Sequence, residues 1–524
     1  MPLEAKPNPF TGAAKVLGAL LLPLAILGGC HPSPPVGPGI PQGPVEPVLW
    51  PGPDNELNVQ RENCDPLAGE AVPGGTFLFA LTDSVLPRRA PVPHNPSERI
   101  VFAQLYETLV SLDCSGYLSP GLAEQWVCTQ DSTVWVFTIR QDARFWDGSR
   151  INSGDIKKAW CDNQTCAGDR ELVTPWAWLN ARAGTISVLD ARRLAIRLPE
   201  PQADFPALMT HPATAISVRR PGWIWPVGSG PSRLRASTPP PLPDLECKPN
   251  PQHPLAPIWK KLTFLVQPES DPRDLISLDF HLAQVKDLES VRFFAEARDF
   301  TVTPLPWNRL YLLVCSLAGN PQGTRRWLDP AHQLDPDREL TRVAARGWPG
   351  IILPAGEGST CPQITGPITI NDSARLDWGL DNILLDENTL VYDVKDPGAR
   401  ELAQRLAALG DAQIRTTGIP LAAVNFTLQW QMAGSYILPM DLEFPTTCLQ
   451  LASLMGRASW LQEAALTGGG NPERNLVTRG LVYPLALTHP WLVSRGELTG
   501  LRLAFDGTPL LSQIGKPAPQ EVSP

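Results

Sequence analysis

A chain of 524 residues with 43% hydrophobic and 19% charged content is globular, and too long to be built around one core, so two or three domains are expected. Its formal net charge of -9 offers no basic face for a nucleic-acid backbone and argues against that class of partner. The 58 prolines are about twice the usual share of roughly 5% and imply many turns and extended connections.

At the N-terminus Lys6 and Lys15 precede an apolar run at residues 16–27. The run falls short of the ~20 residues that a membrane-spanning helix needs, but suits the core of a secretory signal. It ends in Leu27-Gly28-Gly29-Cys30, which resembles a bacterial lipobox. That resemblance implies removal of residues 1–29 and lipidation of Cys30, which would hold the protein at a membrane surface outside the cytoplasm. A plain signal peptide with an incidental cysteine is the alternative. Residues 30–72 are rich in proline and glycine and read as a semi-rigid spacer. Nine cysteines follow Cys30, and an oxidising compartment permits disulfides. Local spacing favours Cys114 with Cys128 and Cys161 with Cys166, and an odd total leaves at least one thiol unpaired. No C-x-x-C or H-E-x-x-H occurs, so neither a metal site nor a cofactor is expected.

Beyond the spacer, residues 75–81 (GTFLFAL) read as a strand and residues 98–109 (ERIVFAQLYETL) carry helical spacing. Nearly every residue in 134–140 (VWVFTIR) is β-branched or aromatic, which suits a buried strand. Phe145-Trp146-Asp147-Gly148 ends in a turn signal, and Ser153 is placed to cap a helix with Asp155 in its first turn. A hairpin is predicted over 186–198 about Asp190-Ala191, a short helix over 204–209, a glycine-proline loop at 226–231 and a strand at 262–266. Residues 310–314 (LYLLV) form a buried strand, whereas 318–348 are polar and irregular. A strand at 390–393 precedes a helix over 398–409, capped by Asp396 and stopped by Gly410. Strands are predicted at 419–426, 481–487 and 498–505, the last ending in an Asp506-Gly507 turn. Strands and helices interleave throughout, which is an α/β or α+β pattern in two lobes.

These residues resemble a family. Residues 102–109 (FAQLYETL), 117–126 (YLSPGLAEQW), 136–140 (VFTIR) and 145–148 (FWDG) are similar to successive segments of the extracytoplasmic solute-binding proteins of family 5, which deliver peptides, oligopeptides or nickel to ABC importers. Pro226-Val227-Gly228-Ser229-Gly230-Pro231, residues 400–419 and residues 481–510 resemble later segments in the family's order. The resemblance implies a two-lobed α/β periplasmic-binding-protein-like fold of type II, with an extra subdomain in lobe one and a hinge. Lobe one is expected at 73–262 plus 480–524, with the subdomain at about 98–183, and lobe two at 263–479.

By the same resemblance Asp441 occupies the position of an aspartate that pairs with the free amino terminus of a bound peptide. A carboxylate in a closing cleft can hold an ammonium by a charge-assisted hydrogen bond. Met440 and Leu438 stand where pocket-wall residues lie, and Trp430 is either a wall of that pocket or plain core. The expected partners are a peptide or similar solute, the permease subunits of an ABC importer and, through the anchor, a membrane, with the protein a monomer. A surface lipoprotein that senses or docks without transport is the competing function. Enzyme motifs such as G-x-S-x-G or a P-loop are missing from the sequence, and its seven histidines are scattered, so no catalytic residue is expected.

Overall fold

The computed structural model describes residues 64–167, 185–198, 201–235, 244–268, 270–316, 321–348, 383–467 and 472–518, apart from the side chains of 161–167, 321–324 and 447–448. The signal run, Cys30, Cys361 and the side chains of Cys161, Cys166 and Cys448 therefore lie outside the described residues.

Two large mixed sheets organise the chain. The first runs, in spatial order, Phe300–Pro304, Trp491–Arg495, Leu282–Val285, Thr76–Leu81, Lys261–Val266, Asp244–Pro249 and Ser232–Arg233. Its central strand, Thr76–Leu81, is parallel to both neighbours, and the outer pairings are antiparallel. The second sheet runs Ala345–Arg346, Val482–Thr488, Arg309–Cys315, Ser435–Asp441, Thr389–Asp393 and Arg415–Ile419. Both faces of Arg309–Cys315 are covered, which explains why its apolar residues run on without alternation. Leu310, Leu312 and Val314 join the main core. Tyr311, Leu313 and Cys315 pack with Leu402 and Leu406 of the helix Pro397–Leu409.

The chain crosses between the sheets twice, through Leu305, Pro306, Trp307 and Asn308, and through His489 and Pro490. The crossings lie side by side: Leu305 N–H donates to Pro490 O at 3.0 Å, and the Trp307 and His489 rings meet edge-on at 4.3 Å. These are the hinge of a two-lobed α/β fold. They move the expected lobe boundaries. A division at 262/263 would cut the strand Lys261–Val266, and Leu282–Val285 and Phe300–Pro304 hydrogen-bond into the first sheet, so lobe one continues to about residue 304. On return, the second sheet holds the chain until Thr488, not 480. The extra subdomain is a four-stranded sheet, Ala123–Cys128, Val134–Ile139, Arg193–Arg197 and Thr185–Val188, so it extends past 183 to take in the predicted hairpin.

Five local expectations are corrected. The folded body begins by Cys64 instead of residue 73: Cys64 is disulfide-bonded to Cys114, and Ala71–Val72 pairs with Lys516–Pro517. Cys128, the partner expected for Cys114, is a buried free thiol. Asn152, not Ser153, caps the helix Ser153–Ala167. Its Oδ1 accepts from Gly154 and Asp155 N–H while Asp155 returns a bond to Asn152 N–H, a reciprocal box that meets two orphan donors. Residues 421–429 are a helix, Leu421–Gln429, where a strand was expected over 419–426. Ala422 to Leu428 are all buried, so the segment shows neither periodicity, and a short apolar run of that kind is ambiguous. Within the stretch read as irregular, Pro321–Gln333 and Pro336–Glu339 are also helical.

The glycine-proline loop is a packing device. Trp146 N–H donates to Gly228 O at 2.9 Å and Gly230 N–H donates to Leu105 O at 3.0 Å. A Cβ on Gly228 would sit 2.2 Å from Leu105 O and 2.5 Å from Tyr106 Cδ1, so only glycine lets this backbone reach the end of the helix Pro96–Leu105. Gly228→Ala is expected to cost about 2–3 kcal/mol by forcing backbone apart. Gly347→Ala, where a Cβ meets nothing within 4 Å, is expected to stay within about 0.5 kcal/mol. Denaturant unfolding of the two variants side by side checks this; equal stabilities would contradict it.

Candidate binding cleft

A cleft of about 1010 Å³ opens beside the hinge, with walls from both lobes. Arg99 of the helix Pro96–Leu105, and Gln284 and Lys286 at the end of Leu282–Val285, come from the first lobe. Arg309, Asp396, Met440, Asp441 and Arg457 come from the second, with His489 of the hinge between them. A concave site of this size at the junction of two lobes is where a small solute is most readily enclosed.

Strand register builds its floor. Arg309 is the first residue after the hinge and Asp441 the last of its strand, and antiparallel pairing sets them opposite each other. The guanidinium then grips the carboxylate in fork geometry: Nε donates to Oδ1 at 2.6 Å and Nη2 to Oδ2 at 3.0 Å. Its third donor, Nη1, reaches Asp396 Oδ2 at 2.9 Å. Asp396 is 4% exposed and also accepts at Oδ1 from Tyr311 O–H at 2.6 Å and, as the helix cap, from Ala399 N–H at 3.0 Å. Burial alone would push the Asp441 carboxyl up, but Arg309 and, more weakly, Arg99 hold it below the ordinary range.

A second cluster lies next to it. Arg99 donates to Glu443 and, through Nη1, to Asp506 Oδ2 at 2.7 Å. His211 Nε2 lies 2.8 Å from the other Glu443 oxygen, and the His211 ring stacks on Phe444 at 5.4 Å. Burial opposes ionisation of Glu443, but Arg99 and His211 outweigh it and set the carboxyl far below its usual range. Glu443 thereby ties the segment after Ser435–Asp441 to first-lobe elements.

The four residues singled out in sequence separate. Asp441 lines the cleft with its side chain 33% exposed, and Met440 lines it from a buried position. Leu438 is fully buried among core residues and is not part of the lining. Trp430 is 55% exposed at the end of the helix Leu421–Gln429 and lies outside the lining, neither pocket wall nor core. Sequence reading missed Arg309, Arg99, Glu443, Lys286 and Arg457, and saw Asp396 only as a helix cap. A charged residue opening an apolar strand, as Arg309 does before residues 310–314, was the one available signal. Among the described residues no group of His, Cys, Asp and Glu could hold a metal ion.

Residues 118–275 match the family model for bacterial extracellular solute-binding proteins, family 5 middle. The chain is similar to the periplasmic murein peptide-binding protein MppA of Escherichia coli, at 28% identity over 25% of this chain and 28% of that protein. It is also similar to the periplasmic oligopeptide-binding protein OppA of Haemophilus influenzae, at 38% identity over 15% of this chain and 13% of that one. These matches thus span about a quarter or less of the curated relatives. By structure, E. coli MppA superposes with a TM-score of 0.60 at 17% identity, covering 86% of this chain and 99% of that one. The ABC transporter-associated DppA of Helicobacter pylori, in complex with the peptide STSA, does so with a TM-score of 0.60 at 14% identity, covering 85% and 99%. At those identities the structural likeness establishes the fold.

Replacing Arg309 by Met would leave two carboxylates facing each other without their common cation. The expected cost is about 3–5 kcal/mol at pH 7. Because Asp441 titrates below the ordinary range when paired, the stability that pairing supplies is present above pH ~4 and fades as pH falls further. Urea unfolding of wild type and Arg309→Met at pH 7 and pH 3.5 should therefore show a gap that narrows in acid. A gap that is constant or widens in acid contradicts this.

Proposed function

We propose that this chain, a family-5 solute-binding protein by its matched segment and its fold, captures an oligopeptide or a similar small solute outside the cytoplasmic membrane and delivers it to the permease of an ABC importer. The observation that carries this is the hinge-side cleft, walled by both lobes and floored by a partly exposed carboxylate. Each Asp441 oxygen already accepts one bond from Arg309, and a carboxylate oxygen has room for another. Asp441 is therefore the group that meets a ligand ammonium, with Met440 beside it as apolar wall. Closure of the lobes would remove water from that contact and strengthen it. The Cys64–Cys114 disulfide fits an oxidising compartment, and lipidation at Cys30 would supply the membrane tether.

Solute extracted from freshly purified protein and identified by mass spectrometry is expected to include peptides, and a pooled peptide mixture should raise the melting temperature. Asp441→Asn should weaken peptides with free amino termini by tenfold or more, about 1.4 kcal/mol, while affecting N-acetylated ones far less. Absence of both co-purified solute and a thermal shift rules out peptide capture. Equal weakening of both peptide types removes Asp441 from the ammonium role.

A further inference from the structure

Away from the cleft, two adjoining turns of lobe one carry positive charge that solute capture does not use. Residues 144–150 and 219–225 together hold four arginines, Arg144, Arg150, Arg219 and Arg220, against one acid, Asp147, in a chain whose formal net charge is -9. Side chains join the two turns: Arg220 Nε donates to Asp147 Oδ2 at 2.8 Å, and its Nη2 to Ser149 Oγ at 2.6 Å. That pairing balances one arginine and leaves the two turns with net positive charge. Arg144 braces the first turn by donating to Gly148 O at 2.9 Å, while Arg150 and Arg219 are exposed.

The second turn is a projection. Val218 and Val227 form its neck, each N–H donating to the other's carbonyl at 2.9 and 2.8 Å. Trp223 N–H donates to Arg220 O at 3.1 Å and Gly222 takes φ +78°, the pattern of a type II turn with proline then glycine at its centre. Trp225 is buried at the root and Trp223 packs half-buried against the main core. Pro221, Gly222 and Ile224 stand exposed beyond them, Ile224 at 42%. A Cβ on Gly222 or on Gly148 would meet nothing within 4 Å, so both tips face open space.

We infer that these turns are a contact surface for an anionic lipid bilayer, with Pro221 and Ile224 entering the headgroup region and Arg150 and Arg219 meeting lipid phosphates. A convex tip offers no groove to a protein partner, whereas a bilayer admits a protruding apolar group without a complementary pocket. The closing hydrogen bond takes one backbone donor and one acceptor out of water, which lowers the cost of entry. Basic side chains around an apolar and aromatic tip are the composition that rests at a membrane interface. Charge complementarity selects anionic lipid, because near such a surface each basic side chain raises binding by about fivefold. The inference goes beyond solute capture, and draws on the tether at Cys30 only to bring lobe one to the membrane. An acyl chain on a proline-rich spacer sets distance but not orientation, and this contact supplies orientation.

Flotation with vesicles tests it on the chain from residue 30 onward carrying Cys30→Ser, which keeps the body that begins by Cys64 and excludes any acyl contribution. Vesicles of phosphatidylcholine alone are compared with vesicles containing an equal share of phosphatidylglycerol. The protein should float with the anionic vesicles and not with the neutral ones. Salt at about 1 M, where the screening length falls to about 3 Å, should release it. Replacing Arg150 and Arg219 together by Gln should weaken the partition about twentyfold, and Ile224→Ser several-fold, each variant first confirmed folded by an unchanged melting temperature. Equal flotation with neutral vesicles, or variants that bind like wild type, would overturn the bilayer contact. Flotation with neither vesicle would overturn it too, leaving an acidic protein surface as the partner these charges fit. None of these readouts depends on which solute the cleft takes, so the contact and peptide capture stand or fall separately.

Discussion

The Arg309 guanidinium gathers two carboxylates that the sequence keeps far apart, and the floor of the cleft is built on that junction. Asp441 comes to it by strand register and Asp396 by its place at the start of a helix, so one cation fixes the relative position of a strand end and a helix end. Tyr311, from the same strand as Arg309, holds the far oxygen of Asp396. Such a network supplies little net stability compared with an apolar core of the same volume. What it does supply is position. It presents a carboxylate to the cleft at one defined place, already charged and already oriented, which is what recognition of a small charged solute requires.

The hinge gives that floor its use. Arg309 is the first residue after one crossing, and Leu442 N–H returns to Asn308 O at 2.8 Å, so the charged floor is bonded to the hinge itself. Asn308 in turn donates from Nδ2 to Asp506 O at 2.6 Å, and Asp506 holds Arg99 of the first lobe. Arg309 is thus one or two bonds from both strands that cross between the lobes. The Glu443 contacts with Arg99 and His211 add a direct tie between the second-lobe loop and first-lobe elements.

How much of this was legible in sequence follows from the range of each interaction. Local chemistry was readable: the Asp396 cap, the Gly410 stop, the hairpin about Asp190 and the buried strands at 134–140 and 310–314 all stand where residue type placed them. The family resemblance read there also holds, in the matched segment and in the fold. What failed depended on long-range pairing. Cys114 was given to a neighbour 14 residues on, but its partner is 50 residues back. The lobe boundary was drawn at a strand that in fact belongs to the middle of a sheet. Asp441 was seen as a ligand group and Arg309 was not seen at all, because their bond spans 132 residues and exists only once two strands are in register. Trp430 was read as either pocket wall or core, and its place at the end of a helix put it in solvent instead.

The central claim is that a solute enclosed between the lobes draws them together about the two crossings. Small-angle X-ray scattering tests it whatever the ligand is. Protein is compared as purified, after its co-purified solute has been removed by unfolding and refolding, and after the extract has been returned. The radius of gyration should rise on removal and fall back when the extract is restored. Scattering curves that superpose in all three states would contradict the account.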